Sequence, residues 1–210
     1  VTQLRVLAIT AALTASLALC GCITVFPKTK DAQLYRFGET VEARAANPAG
    51  PTAAARGLLI STRFTHSAEG DRILTTTGAE TAYIAQARWV EPASVLFDEA
   101  ASRAFEGGGS PFRLMRAGDI SSSSARLRIS VETFEADYPE AGHGAPTIVV
   151  RARVLLEPPA GHGAPVEQVF VSSQPASENR VGPIVAGFEA ATHDVLGQIV
   201  AFTAAQAGPG

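Results

Sequence analysis

The fold class that the sequence predicts is α/β (α+β-like): a single domain with a mixed, largely antiparallel sheet and two packed helices. Three observations predict it. Apolar and polar residues alternate with period two through long runs between residues 126 and 173, the mark of half-buried strands. Two stretches, 93–106 and 182–205, instead carry apolar residues at three- and four-residue spacing, the mark of helices with one buried face. With 46% apolar and 18% charged residues among 210, the chain has an ordinary globular composition. Its length suits one domain burying about 70% of its unfolded-chain surface and is short for two.

The N-terminal stretch is not part of that domain. Behind Arg5, residues 6–19 are uncharged and apolar, about the length of a signal-peptide core and short for a bilayer span. The run ends in Leu19-Cys20-Gly21-Cys22, which resembles the bacterial lipobox. Leu19 would stand at −3, Cys20 at −2 and Gly21 at −1, the three residues that signal peptidase reads. Cys22 would become the lipidated N-terminus. Cys20 is the poorer acceptor, because Leu19 would then fill the −1 position, where a small residue is needed. A buried N-terminal helix or a plain membrane anchor are the competing readings of this run. The resulting organisation is a lipoprotein signal peptide over 1–21, a lipidated tether over 22–32 and an α/β domain over 33–207. One acyl chain contributes about 0.8 kcal/mol per buried CH₂ and holds a protein marginally, whereas two or more give stable anchoring. With Cys20 removed and Cys22 acylated, the mature domain has no cysteine for a disulfide.

Residues 33–37 (QLYRF) read as a short first strand, and 39–55, rich in Ala, Pro and Gly, as a loop. The run 57–64 is apolar in its first half and reads as a central strand. Asp71-Arg72-Ile73-Leu74 opens the next strand, a turn follows near Gly78, and a further strand covers 82–90. There, alternation places Tyr83, Ala85, Ala87 and Trp89 on one face. Pro92 is pre-set for helix entry. The helix 93–106 then carries Leu96, Ala100 and Ala104 beside Phe97, Ala101 and Phe105, until Gly107-Gly108-Gly109 stops it. Residues 112–115 are a short strand and 121–124 a loop. In 126–138, Leu127, Ile129 and Val131 share a face before the phase shifts to Phe134, Ala136 and Tyr138, which predicts a bulge near Thr133. Strands 147–157, with Ile148, Val150, Ala152, Val154 and Leu156 inward, and 166–173 complete a meander. The final helix carries Ile184, Phe188, Ala191, Val195, Ile199 and Phe202, and its stripe needs the sheet as cover.

Chemistry-bearing motifs are absent from this sequence: no nucleophile elbow, phosphate loop, dinucleotide fingerprint or zinc spacing. The hexapeptide AGHGAP occurs twice, at 141–146 and 160–165. Its histidines flank one strand and stand about 36 Å apart at ~3.3 Å per residue, too far to share a metal. His66 and His193 have no ligand cluster in the sequence around them. Asp98 and Glu99 are read as helix-start carboxylates facing the dipole, and Asp194 as a solvent-face residue. No metal or cofactor is expected. A formal net charge of −3, or −4 once Arg5 leaves with the signal, gives no electrostatic case for nucleic acid.

The order of features resembles the ABC-type transport auxiliary lipoprotein family, the lipoprotein partners of MCE-type and paraquat-inducible lipid transport systems. The residues that carry the resemblance are Cys22, Tyr35-Arg36-Phe37, the Asp71-Arg72-Ile73 strand, Tyr83, and the Trp89-Val90-Glu91-Pro92 junction, followed by the meander and the last helix. Packing alone would also account for Trp89 and Pro92. The long Ala/Pro loop before Gly57 and the glycine-rich turns depart from the family pattern. What the resemblance implies is a non-catalytic subunit anchored in the cell envelope and facing the periplasm. Its partners would be an MCE-domain protein, an ABC permease and an ATPase, and it could form a homo-oligomer. Ile23 rather than Asp after the lipidated cysteine points to the outer membrane by the enteric sorting preference. Two other classes stay open: an envelope assembly or scaffold lipoprotein unrelated to lipid transport, and a lipid-anchored hydrolase pairing His66 or His193 with Ser121.

Overall fold

The computed structural model describes residues 31–39, 56–107, 112–115, 124–140 and 144–206. Leu19, Cys20, Gly21 and Cys22, the loop 40–55, the glycine pair 108–109, Ser121 and His143 lie outside the described residues. The elements run β1 (Gln33–Tyr35), β2 (Arg56–Phe64), β3 (Arg72–Thr77), β4 (Glu80–Trp89), α1 (Ala93–Gly107), β5 (Phe112–Leu114), β6 (Ala125–Tyr138), β7 (Thr147–Glu157), β8 (Val166–Pro175) and α2 (Val181–Gln206). This is the expected order of four strands, a helix, four strands and a helix.

Strand β6 organises the sheet. On one side its first half pairs in parallel with β2, from Leu58↔Ala125 to Phe64↔Val131, and its last residues pair in parallel with β3, from Thr75↔Ala136 to Thr77↔Tyr138. Strands β2 and β3 therefore lie end to end beside β6, with residues 65–71 making an excursion between them. On the other side β6 pairs antiparallel with β7, and β7 with β8. The outer positions go to β5, parallel to β2, and to β4, antiparallel to β3 and flanked by β1. The sheet is mixed, and its two longest ladders are antiparallel.

Sequence alternation explains the long strands directly. Leu127, Ile129 and Val131 are buried on β6, the register shifts between Val131 and Thr133, and Phe134 and Ala136 return to the core. On β7 the inward set is Ile148, Val150, Ala152, Val154 and Leu156, as the pattern requires. Both helices cover this same face: α1 packs on β2 and β5, α2 on β7 and β8, and the two touch each other. The opposite face is a charged lattice in which Arg153 bridges Glu132 and Glu167, each at 2.6 Å, and Arg128 meets Glu157 at 3.0 Å.

Between the layers lies an aromatic cluster in which Phe134 meets four rings, those of Phe37, Phe64, Trp89 and Phe188, and Trp89 meets three. The Trp89 ring lies 4.9 Å from that of Phe37, 5.3 Å from Phe188 and 6.4 Å from Phe134, two of the contacts edge-on, a favoured geometry for aromatic quadrupoles. Close approach of α2 to β7 requires Gly187: a Cβ there would stand 2.7 Å from Cδ1 of Ile148.

Two expectations need correction. Tyr83, Ala85, Ala87 and Trp89 do not share one face. Gln86 takes a φ of 58°, and the β3–β4 register jumps from Arg72↔Arg88 to Leu74↔Tyr83. This bulge resets the alternation, leaving Ala85 exposed, Ala87 and Trp89 in the core, and Tyr83 half-exposed against Arg72. Asp98 and Glu99 are not in the first turn of α1, which has no acidic residue. Asp98 instead accepts a 2.7 Å bond from the Thr62 hydroxyl, and Glu99 pairs with Arg103 one turn on.

Candidate functional site

Strand β4 turns into α1 at Trp89-Val90-Glu91-Pro92. β1 fastens the strand end: Tyr35 stands opposite Trp89 in the register, and its carbonyl accepts the Val90 N–H at 2.8 Å. On the other side the Trp89 N–H donates to the Asp71 carbonyl at 2.7 Å. The first amides of a helix have no partner within it, and here loop backbone supplies them. Ala93 N–H donates to the Gly70 carbonyl at 2.9 Å, and the Ser94 N–H and hydroxyl reach the Glu69 carbonyl at 3.2 and 3.1 Å. Pro92 fits the entry because it has no N–H to satisfy, and its carbonyl takes the Val95 and Leu96 amides. Glu91 and Pro92 are exposed.

Arg72, Ile73 and Tyr83 lie along the same excursion. Ile73 is fully buried. The Arg72 guanidinium carbon stands 3.7 Å from the Tyr83 ring centroid, a cation–π contact. The Tyr83 hydroxyl donates to the Ser67 carbonyl at 2.9 Å, and Arg88 pairs with Asp71 at 2.8 Å. The structure thus brings Tyr35, Arg72, Ile73, Tyr83, Trp89, Glu91 and Pro92 around one loop, residues 65–71, where the polar contacts made by these residues fasten strand and helix ends. Asp71, Gly70 and Glu69 carry as much of this junction through their backbone carbonyls. Sequence offers no signal for that, since any residue type has a carbonyl.

Titratable groups are dispersed. Among the described residues no group of three His, Cys, Asp or Glu side chains could hold a metal ion. His66 is an almost fully exposed ring 2.8 Å from Glu69, His162 meets only the Ala160 carbonyl, and His193 is on the solvent side of α2. On the helix-free face, hydrogen bonds from Arg153 and then Arg151 hold the Glu132 carboxyl below the usual glutamate range. Burial, with the Asp137 charge adding, pushes Glu135 up against the opposing bond from Thr76.

Among the described residues a concavity lies along β2. Two hollows of about 460 and 420 Å³ share Ile60 and Asp98 and run between β2 and α1, from Met115 to Phe64. A third continues from Phe64 and Arg63 to Glu132. Sequence gave no indication of this trough.

The family model for the ABC-type transport auxiliary lipoprotein component matches residues 44–200. The chain belongs to this family. No curated protein matches it. Among solved structures, protein XCC0632 from Xanthomonas campestris is 26% identical to this auxiliary lipoprotein. That match covers 84% of this chain and 97% of the other with a TM-score of 0.69. An uncharacterized protein, 12% identical over 85% of this chain and 100% of its own, superposes with a TM-score of 0.61 and shows the fold alone. Among the described residues of this auxiliary lipoprotein, no helix is long and apolar enough to cross a membrane.

Proposed function

We propose that this auxiliary lipoprotein is a non-catalytic subunit of an ABC/MCE-type lipid transport system, anchored to the outer membrane through lipid on Cys22 and facing the periplasm. Residues 1–21 are its signal peptide, read by the peptidase at Leu19, Cys20 and Gly21, and 22–32 its tether. Its partners are an MCE-domain protein, an ABC permease and an ATPase, and it assembles with further copies of itself. The observation that carries this reading is the family match over 44–200 in a chain whose Leu19-Cys20-Gly21-Cys22 resembles a lipobox. His66 and Glu69, 2.8 Å apart, form an exposed pair, and among the described residues no hydroxyl or thiol bonds to either side chain, which supports a binding role over nucleophilic chemistry.

The test has two parts. Cys22→Ser should move the protein out of the outer-membrane fraction while leaving its thermal unfolding unchanged. If the substituted chain stays in that fraction, the anchor is wrong. Gentle detergent extraction and affinity capture of the wild-type chain should recover an MCE-domain protein or ABC component. Recovery of envelope assembly proteins alone would favour a scaffold lipoprotein instead.

A further inference from the structure

The trough along β2 has a polar backbone wall. In a parallel pair, successive residues of a strand direct their N–H and C=O groups alternately to one neighbour and the other. Two bonds fix the phase for β2. Thr65 donates its N–H to the Val131 carbonyl of β6 at 3.0 Å, so the odd-numbered residues face β6. Leu58 accepts the Met115 N–H at 2.9 Å, so the even-numbered residues face the β5 side. Ile60, Thr62 and Phe64 therefore aim N–H and C=O away from β6. On that side β5 ends at Leu114, opposite Leu58, and β4 pairs with β3, whose first residue is Arg72. Among the described residues no strand occupies the interval beside 59–64. Its length is about 20 Å at ~3.3 Å per residue.

Helix α1 makes the facing wall of this interval with Ser94, Val95, Asp98 and Glu99, and Glu106 further along. Of its three carboxylates Glu99 pairs with Arg103 on the same helix, which leaves Asp98 and Glu106 without a cation among the described residues. Asp98 and Glu106 are separated by about 12 Å of helix, close to the ~13 Å between residues i and i+4 of an extended chain. The two cations of the trough, Arg63 and Arg113, stand on β2 and β5 at positions whose side chains alternate to the helix-free face.

We propose that the edge of β2 at Ile60, Thr62 and Phe64, unpaired among the described residues, takes up an extended segment of a partner protein as an added strand, with basic side chains at every second position facing α1. Strand addition at an exposed edge gains affinity from main-chain hydrogen bonds and specificity from alternate side chains. A second copy of this chain fits poorly. Among the described residues its outer strands are β1, three residues without charge, β5, three residues with the single cation Arg113, and β8, whose one charged residue is Glu167, so none offers basic side chains at every second position. The inference concerns the mode of docking and stands whether or not the partner belongs to a lipid transport system.

The full chain, purified in detergent, tests it with a labelled hexapeptide, acetylated and amidated, that alternates valine and lysine. The control peptide alternates valine and glutamate. Hydrogen exchange of the Ile60, Thr62 and Phe64 amides should be fast in the free chain and slow with the lysine peptide. The glutamate peptide should bind about tenfold more weakly. Thr62→Pro deletes an N–H that faces the trough and spares the bonds to β6, so it should weaken the lysine peptide about tenfold, while Thr62→Val should not. Asp98→Lys, at an exposed position, gives the same answer if the proline variant fails to fold. The proposal is overturned if these amides are as protected as those of β6 in the free chain, if protection rises with protein concentration, which would seat a second copy there, or if both peptides bind alike.

Discussion

Replacing Trp89 by alanine tests how this residue of the strand-to-helix junction acts. The side chain is 2% exposed and lies within 6.4 Å, ring centre to ring centre, of Phe37, Phe134 and Phe188. These neighbours come from three separate parts of the chain, so the void cannot close by the movement of any one element. Large aromatic-to-alanine changes at such sites cost about 3–5 kcal/mol, against a total of roughly 5–15 kcal/mol for a typical domain. For a chain of this size that corresponds to a fall of about 6–20 °C in Tm. Trp89→Phe keeps a ring in the cluster and should cost about 1–2 kcal/mol. Urea unfolding followed by circular dichroism measures both, and the wild-type chain has an independent reporter in the fluorescence of Trp89, its single tryptophan. A loss below about 1 kcal/mol for the alanine variant would refute this packing role. So would a Trp89→Phe protein that keeps nearly all its stability yet fails to complement, since packing would not then be the reason for the residue.

Two further outcomes follow from the same geometry. Gly187→Ala gains about 0.8–1 kcal/mol of helix propensity, but drives a methyl group into Ile148, whose Cδ1 and Cγ1 stand 2.7 and 2.9 Å from the new atom. Overpacking of this kind costs about 1–3 kcal/mol, so the single variant should be less stable, and Ile148→Val, which removes the Cδ1 contact and keeps a Cγ, should recover part of the loss in a double-mutant cycle. Glu132 and Glu135 should move stability in opposite directions with pH. The folded-state pKa of Glu132 is lowered, so its contribution is present above the unfolded value and is lost as pH falls. Glu132→Gln should therefore destabilise at pH 7 and match wild type well below about pH 4. The pKa of Glu135 is raised, so its ionised form is the disfavoured one and Glu135→Gln should stabilise at pH 7. That gain should vanish once the acid is protonated in both states. Urea midpoints at pH 7 and pH 3 check both signs.

The strands and helices were legible because their residues obey a simple period. On β6 and β7 the buried positions coincide with the alternation, and the displaced phase after Val131 marked a real bulge. On β4 the same rule failed, because Gln86 adopts a left-handed conformation that no local pattern announces. The placement of Asp98 missed for a different reason: its partner Thr62 lies 36 residues away, and a helix-start reading uses only local neighbours. The junction residues Arg72, Tyr83, Trp89 and Pro92 were legible as a group through family resemblance. Their physical connection was not, since it runs through the carbonyls of Glu69, Gly70 and Asp71. The trough was hidden altogether, because it depends on where β5 stops relative to β2.

Strand β6 is the strand that joins the β2–β3 side of the sheet to β7 and β8, and this dictates an order of events. Residues 56–89 can close the β3–β4 hairpin by themselves, but β2 and β3 find their shared neighbour only when residues 125–138 are present. Contacts at such separation pay a loop-closure entropy and form slowly. A chain emerging N-terminus first, from a ribosome or through a translocation channel, must therefore hold its first hundred or so residues without a completed sheet. For that time it depends on whatever keeps Leu58, Ile73 and Trp89 from finding the wrong apolar surface.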